Sequence, residues 1–407
     1  MGSLVLIRIL TDYLDVSQYG DLALALTLGT LVGQVAFSGS MPGIMRYFAI
    51  AAEKGGVREY LSDSQAMMRY SAIVASGLGA LLLFGLILTD KDNILCLTFM
   101  AIIFAVLGNF NSNQSMIQNA ARQRGIVSLH STLEAWLKIL FVTIAVVVFG
   151  GTAKVVIAAY IASLLVVLIS QNVFIKRLTS EFSFDKSDTT IWKNEIWKYS
   201  KPFIFFNLFT WIQSSSDRWA LDYFSTTDEV GLYAVLLQLG YAPMTIVANL
   251  ITTLVGPILF QQSGDALDLR RNVGVHKRAW QIVAVTIVFT VLVSLITFFA
   301  HNFIFKVFTS ERYHLVSYLL PYMILAGGFF SAGQILSLKL MSDLNTQALI
   351  WPKITTSVIG ALFSYIGAYV MGIKGVVGAV LLFGILQLFW MAWLTRNPFT
   401  NNKEPVT

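Results

Sequence analysis

Residues 214–238 read SSSDRWALDYFSTTDEVGLYAVLLQ, and the charges in this stretch stand out in an apolar chain. It joins the polar end of one apolar segment, which carries Asp217 and Arg218, to an acidic turn and then to a second apolar segment. The chain around it is 56% hydrophobic and 12% charged, with a mean hydropathy of +0.70. In such a composition this stretch is typical of a turn between two membrane-spanning helices, so we expect an all-α polytopic membrane protein.

Apolar segments of spanning length recur along the chain. A hydrocarbon core about 30 Å thick takes roughly 20 residues of helix. Eleven such segments are predicted, at residues 19–42, 69–89, 93–115, 129–150, 153–175, 202–224, 230–260, 279–300, 315–341, 349–371 and 375–395. Residues 2–14, GSLVLIRILTDYL, would form a helix only roughly 20 Å long. We interpret them as the outer half of a first helix whose inner half is missing, through divergence or through a start codon assigned too late.

Lys and Arg residues are distributed unevenly over the predicted loops. With the N-terminus placed inside, most of the 28 Lys and Arg residues fall on the cytoplasmic side. The outer side holds Lys91, Lys154, Arg218, Lys306, Arg312 and Lys374. The positive-inside rule therefore predicts both termini in the cytoplasm. It also accounts for the net charge of +6, so no nucleic-acid partner is needed.

A long polar interruption divides the chain. Residues 176–201 are predicted to be a cytoplasmic linker. Its apolar residues 192, 196, 197 and 199 alternate with lysines, which suits either a helix lying at the membrane interface or a solvated segment with interfacial anchors. The linker separates an N-terminal lobe, residues 1–175, from a C-terminal lobe, residues 202–395. Residues 396–407 are predicted to be a cytoplasmic tail.

The two lobes begin alike. Residues 8–26, RILTDYLDVSQYGDLALAL, align with residues 218–237, RWALDYFSTTDEVGLYAVLL, so that Arg8 matches Arg218. In both, an Asp-Tyr pair, an acidic turn and a glycine follow in the same order. Because six helices is an even number, both lobes have the same orientation. This predicts a parallel pseudo-repeat of two six-helix lobes around a central cavity, with the first helix truncated.

The quoted stretch resembles the start of the second half of Wzx-type polysaccharide and O-antigen flippases. These belong to the multidrug/oligosaccharidyl-lipid/polysaccharide exporter superfamily. The family's segment from its first to its second helix is similar to RILTDYLDVSQYGDLAL together with SGSMPGIMRYFA. The family's last hairpin is similar to residues 372–391, GIKGVVGAVLLFGILQLFWM. The chain departs from the family at its N-terminus, where full-length members have a complete first helix.

The resemblance implies a flippase of the bacterial inner membrane that moves an undecaprenyl-diphosphate-linked oligosaccharide by alternating access. The substrate would be a repeat unit of O-antigen, capsule or exopolysaccharide. The resemblance also implies coupling to a proton or sodium ion, contact with membrane lipids, and association with a polysaccharide polymerase and a chain-length regulator. It implies no enzymatic activity.

Arginine is well suited to a diphosphate, because its planar fork can bind two oxygens at once. Arg218 lies near the outer end of its helix, where it can bind substrate in the cavity or snorkel outward. Asp217 beside it is a candidate for ion coupling or a structural charge. Arg8, the match of Arg218, is spaced to pair with Asp12 and is also a substrate candidate.

Lys138 is the deepest predicted cation, and Glu134 lies four residues before it. The two could form a neutralised pair that serves helix packing, or a cavity cation gated by an ion-coupling carboxylate. Arg46 closes the second helix on the inside, where it would anchor the helix or capture phosphate. Lys339 is expected to snorkel from a helix end.

Amides are concentrated in GNFNSNQSMIQNA, residues 108–120, at the inner end of the fourth helix. Unpaired amides are unfavourable in lipid, so Asn109, Asn113 and Gln114 should face other helices or a wet cavity. They could bond between helices or bind sugar hydroxyls.

Two other functions compete with the flippase. One is an ion-coupled multidrug or toxin exporter of the same superfamily, which the deep cations disfavour. The other is a membrane-embedded glycan polymerase or glycosyltransferase, which the short outer loops disfavour. The sequence contains no Walker lysine loop, no zinc-spaced His or Cys set and no GxSxG elbow. We therefore expect no catalytic residue, no metal site and no cofactor.

Overall fold

The computed structural model describes residues 2–54, 56–88, 92–181, 192–263, 269–342 and 349–396. The secondary structure of these residues is helical, and no strand occurs among them. The predicted all-α class is confirmed. The predicted tail, apart from Arg396, and residues 182–191 of the predicted linker lie outside the described residues.

The chain divides into two compact units, Met1–Trp211 and Ile212–Thr407. The first contains α1 (Gly2–Tyr13), α2 (Val16–Ser38), α3 (Met41–Glu53), α4 (Val57–Leu88), α5 (Asp92–Ala120), α6 (Arg124–Phe149), α7 (Ala153–Glu181), α8 (Trp192–Ser200) and the start of α9 (Pro202–Phe224). The second contains the rest of α9, α10 (Thr227–Leu236), a π-helical segment (Leu237–Tyr241), α11 (Ala242–Ser263), α12 (Leu269–Phe308), a 3-10 segment (Glu311–Leu319), α13 (Leu320–Ser342) and α14 (Ile350–Leu394).

The predicted segments fall largely on helices, but α4 begins at Val57 instead of residue 69, and α12 begins at Leu269 instead of residue 279. Among the described residues, nine helical stretches are long and apolar enough to cross a membrane. The last of these, α14, joins the two predicted segments 349–371 and 375–395, which are separated by non-helical backbone at Gly372. Helix α9 has the predicted bounds, 202–224, but is not among the nine, since its second half carries three serines and several charges. Large apolar side chains such as Leu81, Phe84 and Phe299 are exposed, as lipid-facing positions of a membrane protein are.

The predicted span at residues 19–42 ends earlier than expected. Helix α2 stops at Ser38, and Met41 begins the separate helix α3. Pro42 lies in the first turn of α3, where its missing N–H group breaks no helical hydrogen bond. Arg46 therefore lies in α3 and does not close the second helix.

The described part of the linker includes the helix α8, one face of which is buried. Helix α8 buries Trp192, Ile196 and Ser200, which are spaced four residues apart and form one face. The Gly43 N–H group donates to Ser200 Oγ at 2.8 Å, and any Cβ at Gly43 would lie 2.5 Å from the Ile196 carbonyl oxygen. This face of α8 is thus packed on α3, while Trp197 remains exposed as an interfacial anchor would be.

Helix α9 begins in the first unit. The indole N–H of Trp211 donates to the Thr27 carbonyl oxygen of α2 at 2.7 Å, so the first turns of α9 are held by α2. The compact units accordingly divide within α9, whereas the predicted linker is residues 176–201. The predicted lobe boundaries remain a prediction.

The matched segments at the start of each lobe have the same local structure. In both, one helix ends, two residues follow and the next helix begins: Tyr13 to Val16 in the first unit, Phe224 to Thr227 in the second. Gln18 and Glu229 occupy matched positions, each two residues before the shared glycine.

Both of these side chains bind the start of a later helix. Gln18 Oε1 accepts from the Ala153 N–H group, the first of α7, at 3.0 Å. Glu229 Oε2 accepts from the Ile373 N–H group, which follows the break in α14, at 2.8 Å. Because helix N-termini present unpaired N–H groups, these contacts cap equivalent helices within each unit. The acidic turn of the quoted stretch therefore has a specific partner.

Lys339 does not snorkel. Its side chain is 0% exposed within α13, so the expectation that it reaches a helix end at the surface is wrong. The small residues Ala332 and Gly333 one to two turns earlier are also buried, which brings neighbouring helices close to this part of α13.

Candidate functional site

The predicted pair of Glu134 and Lys138 on α6 is formed. Lys138 Nζ lies 3.4 Å from Glu134 Oε1, and about a quarter of each side chain is exposed, 23% and 27% for lysine and glutamate. The Glu-to-Lys order along the helix is the favourable one. The two residues therefore act as one electrostatic unit.

Two aromatic rings complete the surroundings of Lys138. Its Nζ lies 5.4 Å from the ring centre of Phe104 and 5.3 Å from that of Tyr160. A cation within about 6 Å of an aromatic face is attracted by the ring quadrupole. The charge is thus balanced by a carboxylate and two rings, and direct binding of an anion would require Lys138 to leave them.

A second partner holds Glu134 from α5. The Asn111 side-chain N–H group donates to Glu134 Oε2 at 2.8 Å, so both carboxylate oxygens are engaged. Asn111 was not singled out by the sequence, although it lies within the amide-rich stretch. Its role depends on which face of α5 it occupies, and this follows only from the packing of α5 against α6.

The predicted amides separate into two groups. Asn109 lines a cavity together with Asn111 and Glu134. Asn113 and Gln114 do not line it. Gln114 donates to Asn172 Oδ1 of α7 at 2.7 Å, which is the bond between helices weighed as its alternative role. Asn113 is buried.

Arg8 and Arg46 lie away from this cavity lining. The predicted pair on α1 is formed, with Arg8 Nε 2.9 Å from Asp12 Oδ2 and both side chains more than a third exposed. The Arg46 side chain is exposed on α3.

In the second unit, Asp217 and Arg218 form a buried cluster with a residue that the sequence did not indicate. Asp217 is 6% exposed and accepts a 2.5 Å hydrogen bond from the hydroxyl of Tyr233, which is fully buried. The Arg218 N–H group donates to Asp217 Oδ1 at 2.8 Å, and Arg218 Nε lies 3.5 Å from the same oxygen. The Arg218 guanidinium also donates to the Ser214 carbonyl oxygen.

A further cation lies in the second unit. The Lys353 ammonium, in the first turn of α14, donates to Gln213 Oε1 of α9. The sequence places Lys353 among the cytoplasmic anchors, and only the contact between α14 and α9 reveals its amide partner. Among the described residues, no group of three or more His, Cys, Asp or Glu side chains could hold a metal ion.

Comparison with solved structures shows the fold. An inward-facing multidrug resistance MATE family transporter of the MOP superfamily superposes with a TM-score of 0.64 and 14% identity, covering 97% of this chain and 95% of that one. The lipid II flippase MurJ, in an inward closed conformation, superposes with a TM-score of 0.69 and 14% identity, covering 94% of this chain and 85% of MurJ. The eukaryotic MATE transporter AtDTX14 superposes with a TM-score of 0.58 and 15% identity, covering 97% of this chain and 91% of that one. No curated protein matches the chain by sequence.

Fold and sequence together define the class of protein. The chain has the fold of these solved transporters, and nine helical stretches among its described residues mark it as a multi-pass membrane protein. A family model described as "Polysaccharide biosynthesis protein" matches residues 1–263, which is more than half of the chain. The chain therefore belongs to the polysaccharide biosynthesis protein family, and the predicted resemblance is confirmed.

Proposed function

We propose that the chain is a flippase that translocates a polyisoprenyl-diphosphate-linked oligosaccharide across the bacterial inner membrane. Its membership in the polysaccharide biosynthesis protein family is the observation that carries this proposal. The likeness to a lipid II flippase supports it, because lipid II flipping also moves a lipid-linked glycan. The glycan would be a repeat unit of O-antigen, capsule or exopolysaccharide, and transport would proceed by alternating access.

We assign the candidate cations to the diphosphate and the candidate amides to the sugars of the substrate. Arg218, Arg8 and Arg46 would meet the diphosphate, since guanidinium groups bind phosphate oxygens in pairs. Lys138 would contribute charge after separating from Glu134 and its rings. The amides Asn109, Asn113 and Gln114 would meet sugar hydroxyls.

Asp217 and Glu134 would couple transport to a proton or sodium ion. Each is a carboxylate next to a cation in a partly or fully buried setting. Binding of an ion to either carboxylate would weaken its hold on that cation and release positive charge for the substrate. Relocation of charge in a low-dielectric setting has a large effect on free energy.

The proposed placement in the cell follows from the charge distribution. We propose that it puts both termini in the cytoplasm. The family resemblance supports the further proposal that the chain contacts membrane lipids, a polysaccharide polymerase and a chain-length regulator.

An ion-coupled multidrug exporter is the second candidate. The fold likeness to multidrug MATE transporters favours it, with 97% of the chain covered. Such an exporter would bind cationic compounds, and the aromatic rings and carboxylate around Lys138 are groups that bind cations.

Complementation tests the flippase. The chain is expressed in flippase-null strains that differ in repeat unit, and surface polysaccharide is measured. We expect rescue in at least one strain, and Arg218→Ala should lose most of it while Arg69→Ala, an exposed arginine of α4, retains it at matched expression. Failure in every strain, combined with resistance to cationic drugs, would establish the exporter instead. Equal rescue by both variants would remove Arg218 from the substrate site.

A further inference from the structure

A cavity of about 210 Å³ lies within the first unit, where α2, α5, α6 and α7 meet. Its polar wall consists of Thr30, Gln34, Asn109, Asn111, Ser112 and Glu134. Phe104 contributes an aromatic face. The volume of this cavity is below the roughly 300–1,000 Å³ of sites for drug-sized ligands. It is therefore of a size for a single ring of a ligand.

Two side chains that line the cavity carry acceptor oxygens that lack donors. Gln34 Oε1 and Asn111 Oδ1 are buried and have no hydrogen-bond partner among the described residues. The Asn111 side chain, 8% exposed, is held in one orientation because only its nitrogen can donate to the Glu134 carboxylate. Asn109 is fixed in the same way, since its nitrogen donates to the Ala105 carbonyl oxygen at 2.8 Å.

Close packing keeps this arrangement in place. A Cβ at Gly33 of α2 would lie 2.7 Å from the Asn109 side-chain nitrogen, so only glycine leaves room for that amide. The Lys138 ammonium beyond Glu134 is already engaged by the carboxylate and two rings. The cavity therefore offers acceptor oxygens and a carboxylate rather than a free cation.

The unpartnered acceptor oxygens favour a ligand that carries hydrogen-bond donors. A buried acceptor without a donor costs free energy, which a ligand with several hydroxyl groups recovers. A phosphate has few or no donors, and the Glu134 carboxylate would repel it. The C–H face of a sugar ring can also pack on the apolar face of Phe104.

We propose that this cavity binds one neutral sugar ring of the lipid-linked oligosaccharide and does not bind its diphosphate. The proposal rests on the proposed flippase function and refines it. Recognition is divided between an acceptor-lined sugar pocket in the first unit and arginines elsewhere. Gln34 and Asn111 are the determinants of the sugar.

A thiol reporter tests the pocket directly. In the full chain with its one cysteine removed by Cys96→Ser, Ser112→Cys places a thiol on the cavity wall. The probes are polyprenyl diphosphates bearing one glucose, galactose, N-acetylglucosamine or N-acetylgalactosamine, and the bare polyprenyl diphosphate. At twice its Kd, a probe should slow maleimide modification about threefold, because protection follows 1 + [L]/Kd. We expect this for at least one glycosylated probe and not for the bare lipid.

One test variant and two control variants separate binding from packing. Asn119→Cys, an exposed position of α5 outside the cavity lining, should react at the same rate with and without each probe. Gln34→Met keeps the side-chain volume but removes the acceptor, so it should abolish protection without lowering the thermal midpoint of the free protein. Gln118→Met removes a fully buried amide outside the cavity lining and should leave protection intact.

The outcomes distinguish the two proposals. Protection by no glycosylated probe, or equal protection by the bare lipid, overturns the sugar pocket. So does unchanged protection in Gln34→Met. If complementation succeeds in either case, the flippase function stands without this pocket. If complementation fails as well, both proposals fall.

Discussion

Asp217 shows how a single side chain is defined by contacts that are distant in sequence. The residue is buried, and its carboxylate accepts hydrogen bonds from the Arg218 backbone and from the hydroxyl of Tyr233 sixteen residues later. A buried carboxylate is tolerated when it is both paired and hydrogen-bonded. Arg218 supplies the charge and Tyr233 the additional donor. The cluster therefore holds α9 against α10 while it keeps a titratable group and a guanidinium together.

Tyr233→Phe tests this cluster. The substitution keeps the buried ring and removes one donor from Asp217, so the free energy of unfolding in detergent should fall by about 1–3 kcal/mol. Tyr223→Phe, which alters an exposed tyrosine in the same stretch, should change it little. Thermal or denaturant unfolding measures both. Identical stability of the two variants would mean that the Tyr233 hydroxyl does not support Asp217.

At the scale of elements, the outer hairpins are held by caps that reach across each unit. Thr226 begins α10 by accepting from the Glu229 N–H group at 3.2 Å. The Glu229 side chain then binds the Ile373 N–H group, directly after Gly372, whose φ is 55° and ψ is −135°. This conformation is open to glycine and rarely to other residues. Gln18 caps the start of α7 in the same manner. The internal repeat is therefore a repeated structural contact as well as a similarity of sequence.

Gly372→Ala should weaken this hairpin. A Cβ there would lie 2.7 Å from Glu229 Oε2, and the positive φ would strain the backbone, so we expect a loss of about 1–2 kcal/mol. Gly378→Ala is the matched control, because the same helix α14 has open space around Gly378, and alanine there should be neutral or stabilising. Unfolding midpoints in detergent compare the two. A Gly372→Ala variant as stable as Gly378→Ala would show that the break is not strained.

At the scale of the whole molecule, the orientation in the membrane follows from charge. Lys154 and Lys374 fall on the predicted outer side, and Arg69 and Lys198 on the predicted inner side. All four side chains are exposed. The positive-inside rule predicts that the inner set lies in the cytoplasm.

Single cysteines test this orientation. In the Cys96→Ser chain, a membrane-impermeant maleimide applied to whole cells should label Lys154→Cys and Lys374→Cys. It should label Arg69→Cys and Lys198→Cys only after the cells are permeabilised. Labelling of the second pair in intact cells would reverse the assigned topology.

The all-α membrane class, the approximate positions of most helices, the internal repeat and the family could all be predicted from the sequence. These properties depend on hydropathy and local order, which residues carry regardless of their neighbours in space. The pairs Arg8 with Asp12 and Glu134 with Lys138 were also predictable, because they lie one helical turn apart. The same reasoning failed for Lys339, because the burial of its side chain depends on packing against other helices.

Only the tertiary structure decided which polar residues meet. Asn111 reaches Glu134, Tyr233 reaches Asp217 and Gln213 reaches Lys353 through contacts between helices. The amide-rich stretch contains several asparagines and glutamines of similar character. Hydropathy does not distinguish the amides that line a cavity from those that bind another helix. The face that each amide presents is set by the rotation of α5 against α2, α6 and α7, and this rotation is a property of packing.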